Sequence, residues 1–196
     1  IFFKHRGLYK STIDVPLIMR WPGCPKGVRV KAPVQNIDLG RTLLDLAGLG
    51  AVEFPGESLL AKLEPGVESA PRFMIGSHGH HASVEQDGWL CVLTIEATID
   101  FPDSEAHMIE LYNLERDPSC EHDLVEEEFE RAKVMRRGLI DWLAAGKRAG
   151  LALVRDQQSV ELLEAITALG YTTDGGGDEG PYYEEDPENE WCKRFR

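Results

Sequence analysis

Three groups of side chains in this sequence have the types and spacing to do chemistry. Lys4, His5 and Arg6 form a basic cluster ahead of Tyr9 and of an apolar run, residues 15–21, that stops at Pro22-Gly23. A lysine ammonium is a compact charge on a flexible stem, suited to the oxygens of a sulfate or phosphate ester. His78, His80 and His81 make up a second group. Imidazoles can hold a metal or hydrogen-bond a substrate, but no cysteine or carboxylate spacing nearby completes a zinc set. The histidine stretch therefore reads as a loop on the substrate side, with His78 slightly favoured to reach a pocket. His107 and His122 lie in polar surroundings and read as surface residues. Ser58 sits in Gly56-Glu57-Ser58-Leu59-Leu60, without the following glycine that a nucleophile elbow uses, so a turn or cap is its expected role. Cys24, Cys91, Cys120 and Cys192 are scattered, with no Cys-x-x-Cys pair, and read as free thiols.

These groups must be positioned by regular elements. Pro16-Leu17-Ile18-Met19 is expected as a buried strand, because large apolar and β-branched residues suit a strand covered on both faces. The Lys4 loop precedes it, and loops at strand ends gather ligands in open α/β sheets. A solvated loop before a core strand is the plainer reading of the same residues. Residues 27–34 alternate and suit an exposed strand or arm. A helix is expected from Asn36, with Leu39, Leu43, Leu46 and Ala47 on one face, Asn36 or Asp38 capping the first turn, and Gly48 ending it. Residues 50–71 hold Pro55-Gly56, Pro65-Gly66 and Pro71, a loop-rich connection. Strands follow at residues 72–76, 89–95 and 110–114, with short or polar links that favour antiparallel pairing. Residues 122–145 give the strongest helix, with Ala132, Met135, Leu139, Trp142 and Leu143 on one face. A further helix is expected near residues 157–169. From residue 172 the chain turns acidic, a composition typical of a solvated tail. Its last residues, Trp191-Cys192-Lys193-Arg194-Phe195-Arg196, have the aromatics and cations to dock on their own domain or on a second subunit.

The chain has 196 residues and a formal charge of −13. That balance argues against a nonspecific nucleic-acid binder, which carries a basic footprint. No apolar run approaches the length of a membrane span. The sequence begins Ile1-Phe2-Phe3, inside an apolar run, and reads as a segment of a longer polypeptide; the cellular compartment is therefore not legible.

Lys4, Tyr9, Pro16-Leu17, Trp21-Pro22-Gly23 and Gly27 resemble the sulfatase family pattern: a lysine, an aromatic residue, Pro-Leu, an apolar strand and Pro-Gly. The resemblance continues in order through Asp38 and Thr42 to Ala47-Gly48. It goes on through Gly56-Glu57-Ser58-Leu59 and Glu110-Leu111-Tyr112-Asn113-Leu114 with Asp117-Pro118, to Leu169-Gly170-Tyr171. It covers about residues 2–171. Arg41 stands where the family usually has a proline.

The resemblance implies an α/β fold that is α+β in its C-terminal part. Residues 1–65 would be the C-terminal end of an alkaline-phosphatase-like sheet domain. Residues 66–171 would be a subdomain with a small antiparallel sheet packed by the long helix, and residues 172–196 an acidic tail. It implies that the complete enzyme hydrolyses a sulfate ester of a small molecule or saccharide. Lys4 matches the family's sulfate-contacting lysine and is the one catalytic residue carried over; His5 and His78 are assigned to substrate binding. Family members use a formylglycine made within Cys/Ser-x-Pro/Ala-x-Arg, and calcium or magnesium held by Asp-Asp and Asp-Asn/His pairs. None of these motifs occurs here. Nucleophile and metal ligands are therefore expected outside this chain, no metal ligand is assigned in it, and the segment alone is expected to be inactive. Two other readings remain open: a phosphonate monoester or phosphodiester hydrolase of the same superfamily, or a non-catalytic assembly module whose tail joins two copies.

Overall fold

Asp87-Gly88 sets the register of the sheet. In the computed structural model, which describes residues 7–63, 67, 70–76, 79–98, 101–148 and 183–196, both residues have positive φ, 50° and 77°. A two-residue Asp-Gly loop with that backbone matches the twist of paired strands. It joins β2 (His81–Gln86) to β3 (Trp89–Thr94). β1 (Arg72–Ile75) and β4 (Ile109–Asn113) flank them, and all neighbours are antiparallel in the order β1-β2-β3-β4. The sequence pattern predicted three of these strands and missed β2. His81-Ala82-Ser83-Val84-Glu85-Gln86 has only a weak apolar signal, and the Asp-Gly hairpin was the cue that would have found it.

Side chains alternate across this sheet, so both faces are put to use. One face carries Ala82, Val84, Cys91, Leu93, Ile109 and Leu111 into the main core. There they meet α3 (Phe129–Arg148), which contributes Ala132, Met135 and Leu139. The helix starts later than the sequence suggested, since residues 125–128 form a turn. Trp142 also departs from expectation. It sits at the rim, 36% exposed, stacked on Phe73 with ring centroids 5.3 Å apart. Its opposite face is open because β1 is the edge strand.

Residues 183–196 cover the rest of that core. Tyr183, Cys192 and Phe195 are buried, and Phe195 stacks on Phe129 at 4.9 Å. Asn189 caps the short helix α4 (Glu190–Arg194), accepting bonds from the Trp191 and Cys192 amides. Arg136, buried on α3, ion-pairs with Glu185 at 2.7 Å and donates to the Tyr183 hydroxyl. Residues 184–188 are exposed, as a solvated tail would be; the solvated reading is corrected at Tyr183, and the end of the chain docks on its own domain, one of the two placements expected for it. The apolar content of residues 183–196 lies at Tyr183, Trp191 and Phe195. The helix expected at residues 157–169 lies outside the described residues.

Residues 7–63 are arranged differently. α1 (Lys10–Ile13) is one turn, and α2 (Asn36–Leu46) is the expected helix, ending at Gly48 with φ 73°. Its cap is Gln35, with Asp38 accepting from the Gln35 amide at 2.9 Å in a capping box. A 3-10 turn follows at Ala61–Leu63. The buried strand expected at Pro16-Leu17-Ile18-Met19 is not formed. Residues 15–20 have no regular structure, and Ile18 is 94% exposed. A strand exists through its hydrogen-bonded neighbours, and no strand among the described residues pairs with this one. Val15, Leu17, Val28, Val30, Leu43 and Phe54 are exposed as well.

Candidate functional site

Lys4, His5 and His78, assigned from the sequence, lie outside the described residues. The structure instead shows how the segment directly after Lys4-His5-Arg6 is held. Gly7 turns with φ 104°, and a Cβ there would lie 3.1 Å from the Phe101 ring, so the turn needs glycine. Leu8 is buried. Tyr9 lies against the sheet face opposite α3, edge-on to Tyr112 at 6.0 Å, beside Leu90, Val92 and Met74.

Two side-chain bonds fix this segment to the sheet. The Tyr9 hydroxyl donates to Glu110 Oε2 at 2.8 Å, and Lys10 Nζ donates to Glu85 Oε2 at 3.0 Å. The other Glu110 oxygen accepts from the Tyr112 hydroxyl at 2.7 Å. Burial opposes the charge on Lys10, yet its bonds to Asp14 and Glu85 outweigh this and hold its pKa above the ordinary lysine value. Burial raises the pKa of Tyr9 and Tyr112, and the Glu110 carboxylate raises both further.

A pH dependence follows. An acid whose folded pKa lies above its unfolded value, here 10.0, holds more protons folded than unfolded once the pH exceeds that value. Stability from these tyrosines is therefore complete below about pH 10 and falls as pH rises beyond it. Unfolding in urea at pH 9 and pH 11 should show this loss, and Tyr9→Phe should shrink it. An equal alkaline loss in Tyr9→Phe would show that Tyr9 has no part in it.

Beside this segment lies a cleft of about 790 Å³ between residues 13–17, residues 30–36 and strands β1 and β2. Its cations are already neutralised. Lys10 faces Asp14 and Glu85, while Arg72 pairs with Glu57 at 2.7 Å and lies 3.6 Å from buried Asp38. The cleft is thus no ready anion site. Asp38 also accepts from the Glu57 amide at 2.8 Å, and Thr42 links its hydroxyl to the Asp38 carbonyl and the Leu59 amide. Gly56, with φ 97°, passes so close that a Cβ would lie 2.8 Å from the Ile37 carbonyl oxygen. Arg41 ties the end of α2 to the next loop, pairing with Asp45 and donating to the Val52 carbonyl at 2.7 Å.

The remaining histidines separate. His81 is buried at the start of β2, edge-on to Phe101 at 4.8 Å, and burial lowers its pKa. His80 lies 3.2 Å from Glu96. His107 is corrected from a surface role: half-buried with φ 69°, it bonds the Tyr183 hydroxyl at 3.1 Å. His122 is exposed, as expected. All four cysteines are free. Among the described residues no group of three or more His, Cys, Asp or Glu side chains is arranged to hold a metal. These residues therefore do not fit the calcium or magnesium site that the resemblance implies. No described helix is long and apolar enough to cross a membrane.

Residues 1–75 match the family model described as N-sulphoglucosamine sulphohydrolase, C-terminal. A sulfatase of Formosa agariphila is 29% identical over 114 residues, 57% of this chain and 22% of that protein. Human N-acetylglucosamine-6-sulfatase is 47% identical over 57 residues, 28% of this chain and 10% of that enzyme. The solved structure of Ps i-CgsB is similar at TM-score 0.46 and 24% identity, over 60% of this chain and 26% of that one. The matched region thus spans about a fifth or less of the length of these two curated relatives. The order of motifs, the family-model match and the curated relatives all support a likeness of this chain to the C-terminal portion of sulfatases.

Proposed function

We propose that the polypeptide containing this chain, at its full natural length, hydrolyses a sulfate ester on a sugar, and that this region supplies a sulfate-contacting lysine, Lys4. The observation that carries the sulfatase reading is the match of residues 1–75, which contain Lys4, to the N-sulphoglucosamine sulphohydrolase model, whose named substrate bears its sulfo group on nitrogen; the ester comes from the curated relatives. The curated relatives named N-acetylglucosamine-6-sulfatase point to a sulfate ester on a glucosamine, and the two names share a sulfonated glucosamine. A fixed ammonium near the sulfate would offset charge on the non-bridging oxygens as the ester bond breaks. His5 and His78 would line the same pocket and donate to the sugar.

The formylglycine nucleophile and the metal would be supplied by residues other than those described here. The exposed apolar residues of the 15–54 region would be covered by the rest of that enzyme, which is the ordinary fate of so large an apolar surface.

The test compares hydrolysis of aryl sulfate, aryl phosphate and glucosamine 6-sulfate by the full-length polypeptide, with Lys4→Ala beside it. Sulfate esters should be preferred, and Lys4→Ala should lower kcat/KM by about 100-fold, the usual scale for losing one charge-stabilising donor. Faster turnover of the phosphate ester would favour the phosphodiesterase relative. Turnover by the 196-residue chain alone would overturn the division of labour.

A further inference from the structure

Residues 15–37 hold four cations, Arg20, Lys26, Arg29 and Lys31, and no carboxylate, in a chain of formal charge −13. An ordinary protein surface mixes both signs. Segregation of this kind creates a local field opposite to that of the whole chain. All four side chains are exposed, and among the described residues none of them forms an ion pair or a side-chain hydrogen bond. Lys10, Arg41, Lys62 and Arg72, by contrast, each face a carboxylate.

Two turns carry this stretch outward. The Cys24 amide donates to the Trp21 carbonyl at 3.0 Å, and Gly23 and Gly27 take φ of 83° and 72°. A Cβ at either glycine would meet no atom within 4 Å, so both turns face open space. Lys26, Arg29 and Lys31 lie close in sequence, their Cα atoms at most about 18 Å apart. None of the four cations lines the cleft beside β1. They form an open surface rather than a pocket, which suits an anion repeated along a chain better than a single ester. Half-buried Trp21 and exposed Val28 and Val30 lie among them and offer apolar contact to sugar rings.

We propose that residues 20–31 form a binding arm for an acidic polysaccharide that carries repeated sulfate groups. The choice of a sulfated polysaccharide rests on the sulfated-sugar reading above, whereas the arm itself rests on the placement of its cations. Burying unpaired cations is costly. Where the rest of the natural polypeptide covers the apolar residues of this region, the cations therefore stay at the rim of that contact. Each contact between a solvated cation and a sulfate is weak alone and sensitive to salt, and several along one chain add up. The arm keeps the polymer bound between turnovers, which raises the effective concentration of its next ester.

The test is read first as binding. Isothermal titration of the 196-residue chain with sulfated dextran at low salt should give a measurable Kd. Binding should weaken at least about tenfold in a quadruple variant with Arg20→Gln, Lys26→Gln, Arg29→Gln and Lys31→Gln. Added salt should shrink that difference, and unsulfated dextran should not bind. Arg116→Gln with Arg137→Gln, at exposed cations elsewhere, should leave Kd unchanged. Equal binding by wild type and the quadruple variant would overturn the proposal. An equal loss in the Arg116 and Arg137 control would overturn it too, since overall charge would then explain the binding. Duplex DNA bound through the arm as tightly as sulfated dextran would overturn the choice of a polysaccharide.

Turnover by the full-length polypeptide is the second readout. The quadruple variant should raise KM for a sulfated polysaccharide by about tenfold and leave kcat/KM for glucosamine 6-sulfate unchanged. Equal losses on both substrates would overturn the arm. A full-length polypeptide that hydrolyses no sulfate ester would sink the sulfatase reading instead, and arm-dependent binding of sulfated dextran would still uphold the arm.

Discussion

Leu139→Ala is expected to lower the stability of the chain by roughly 2–5 kcal/mol, the range for truncating a fully buried leucine. Leu139 is 0% exposed and lies on the face of α3 that meets β2, β3 and β4, in one cluster with Met135 and Ala132. Removing its side chain leaves a cavity between two rigid elements. The sheet cannot close it without breaking the ladder, and the helix cannot approach without clashing elsewhere. Urea unfolding checks this: the midpoint should fall while the slope stays constant. Trp142→Ala is the informative comparison. Its sequence pattern alone placed it in the core, with a cost of about 3–5 kcal/mol. As a rim residue stacked on Phe73, it should cost about 1–2 kcal/mol, mostly the stacked pair and part of its area. A larger loss from Trp142→Ala than from Leu139→Ala would contradict this packing.

Asp38→Ala is expected to cost about 2–4 kcal/mol through orphaned polar groups rather than lost apolar area. Asp38 is 0% exposed, and its two oxygens accept from the Gln35 and Glu57 amides. It also faces Arg72, which keeps Glu57 as a second partner. Substitution to alanine removes a helix cap and leaves two backbone donors without acceptors. The consequence reaches β1, because the Gln35 side chain donates to the Phe73 carbonyl at 2.8 Å. Asp38→Asn keeps one acceptor oxygen and should cost about half as much. Thermal unfolding gives the magnitude, and faster amide exchange at Glu57 gives the cause. Unchanged exchange at Glu57 in Asp38→Ala would show that the loop is held by other contacts. Residues 1–75 are those that match the sulphohydrolase model, so this network lies in the part of the chain on which the likeness to that family chiefly rests.

The sequence by itself determined the elements that local rules control. α2 was legible from its apolar spacing and from Gly48, and β1, β3 and β4 from short apolar runs between turns. The core face of α3 was legible at Ala132, Met135 and Leu139, since a helix repeats its buried face every three to four residues. The sulfatase resemblance was legible as an order of motifs and is matched by the comparisons.

What tertiary structure decided is what depends on a neighbour. Residues 15–19 have the composition of a buried strand, but composition cannot supply a partner strand, and they lie exposed without one. β2 has little apolar signal and is a strand because β1 and β3 pair with it on both sides. Trp191 and Phe195 gave only the means to dock, and Tyr183 gave no such sign within its acidic run. Arg136 and Phe129, far away in sequence, decided where they do so. The bond between Tyr9 and Glu110 joins residues 101 positions apart. Neither residue carries a local signal for it, because a side-chain contact across the sheet is fixed by strand order and register, which exist only once the chain has folded.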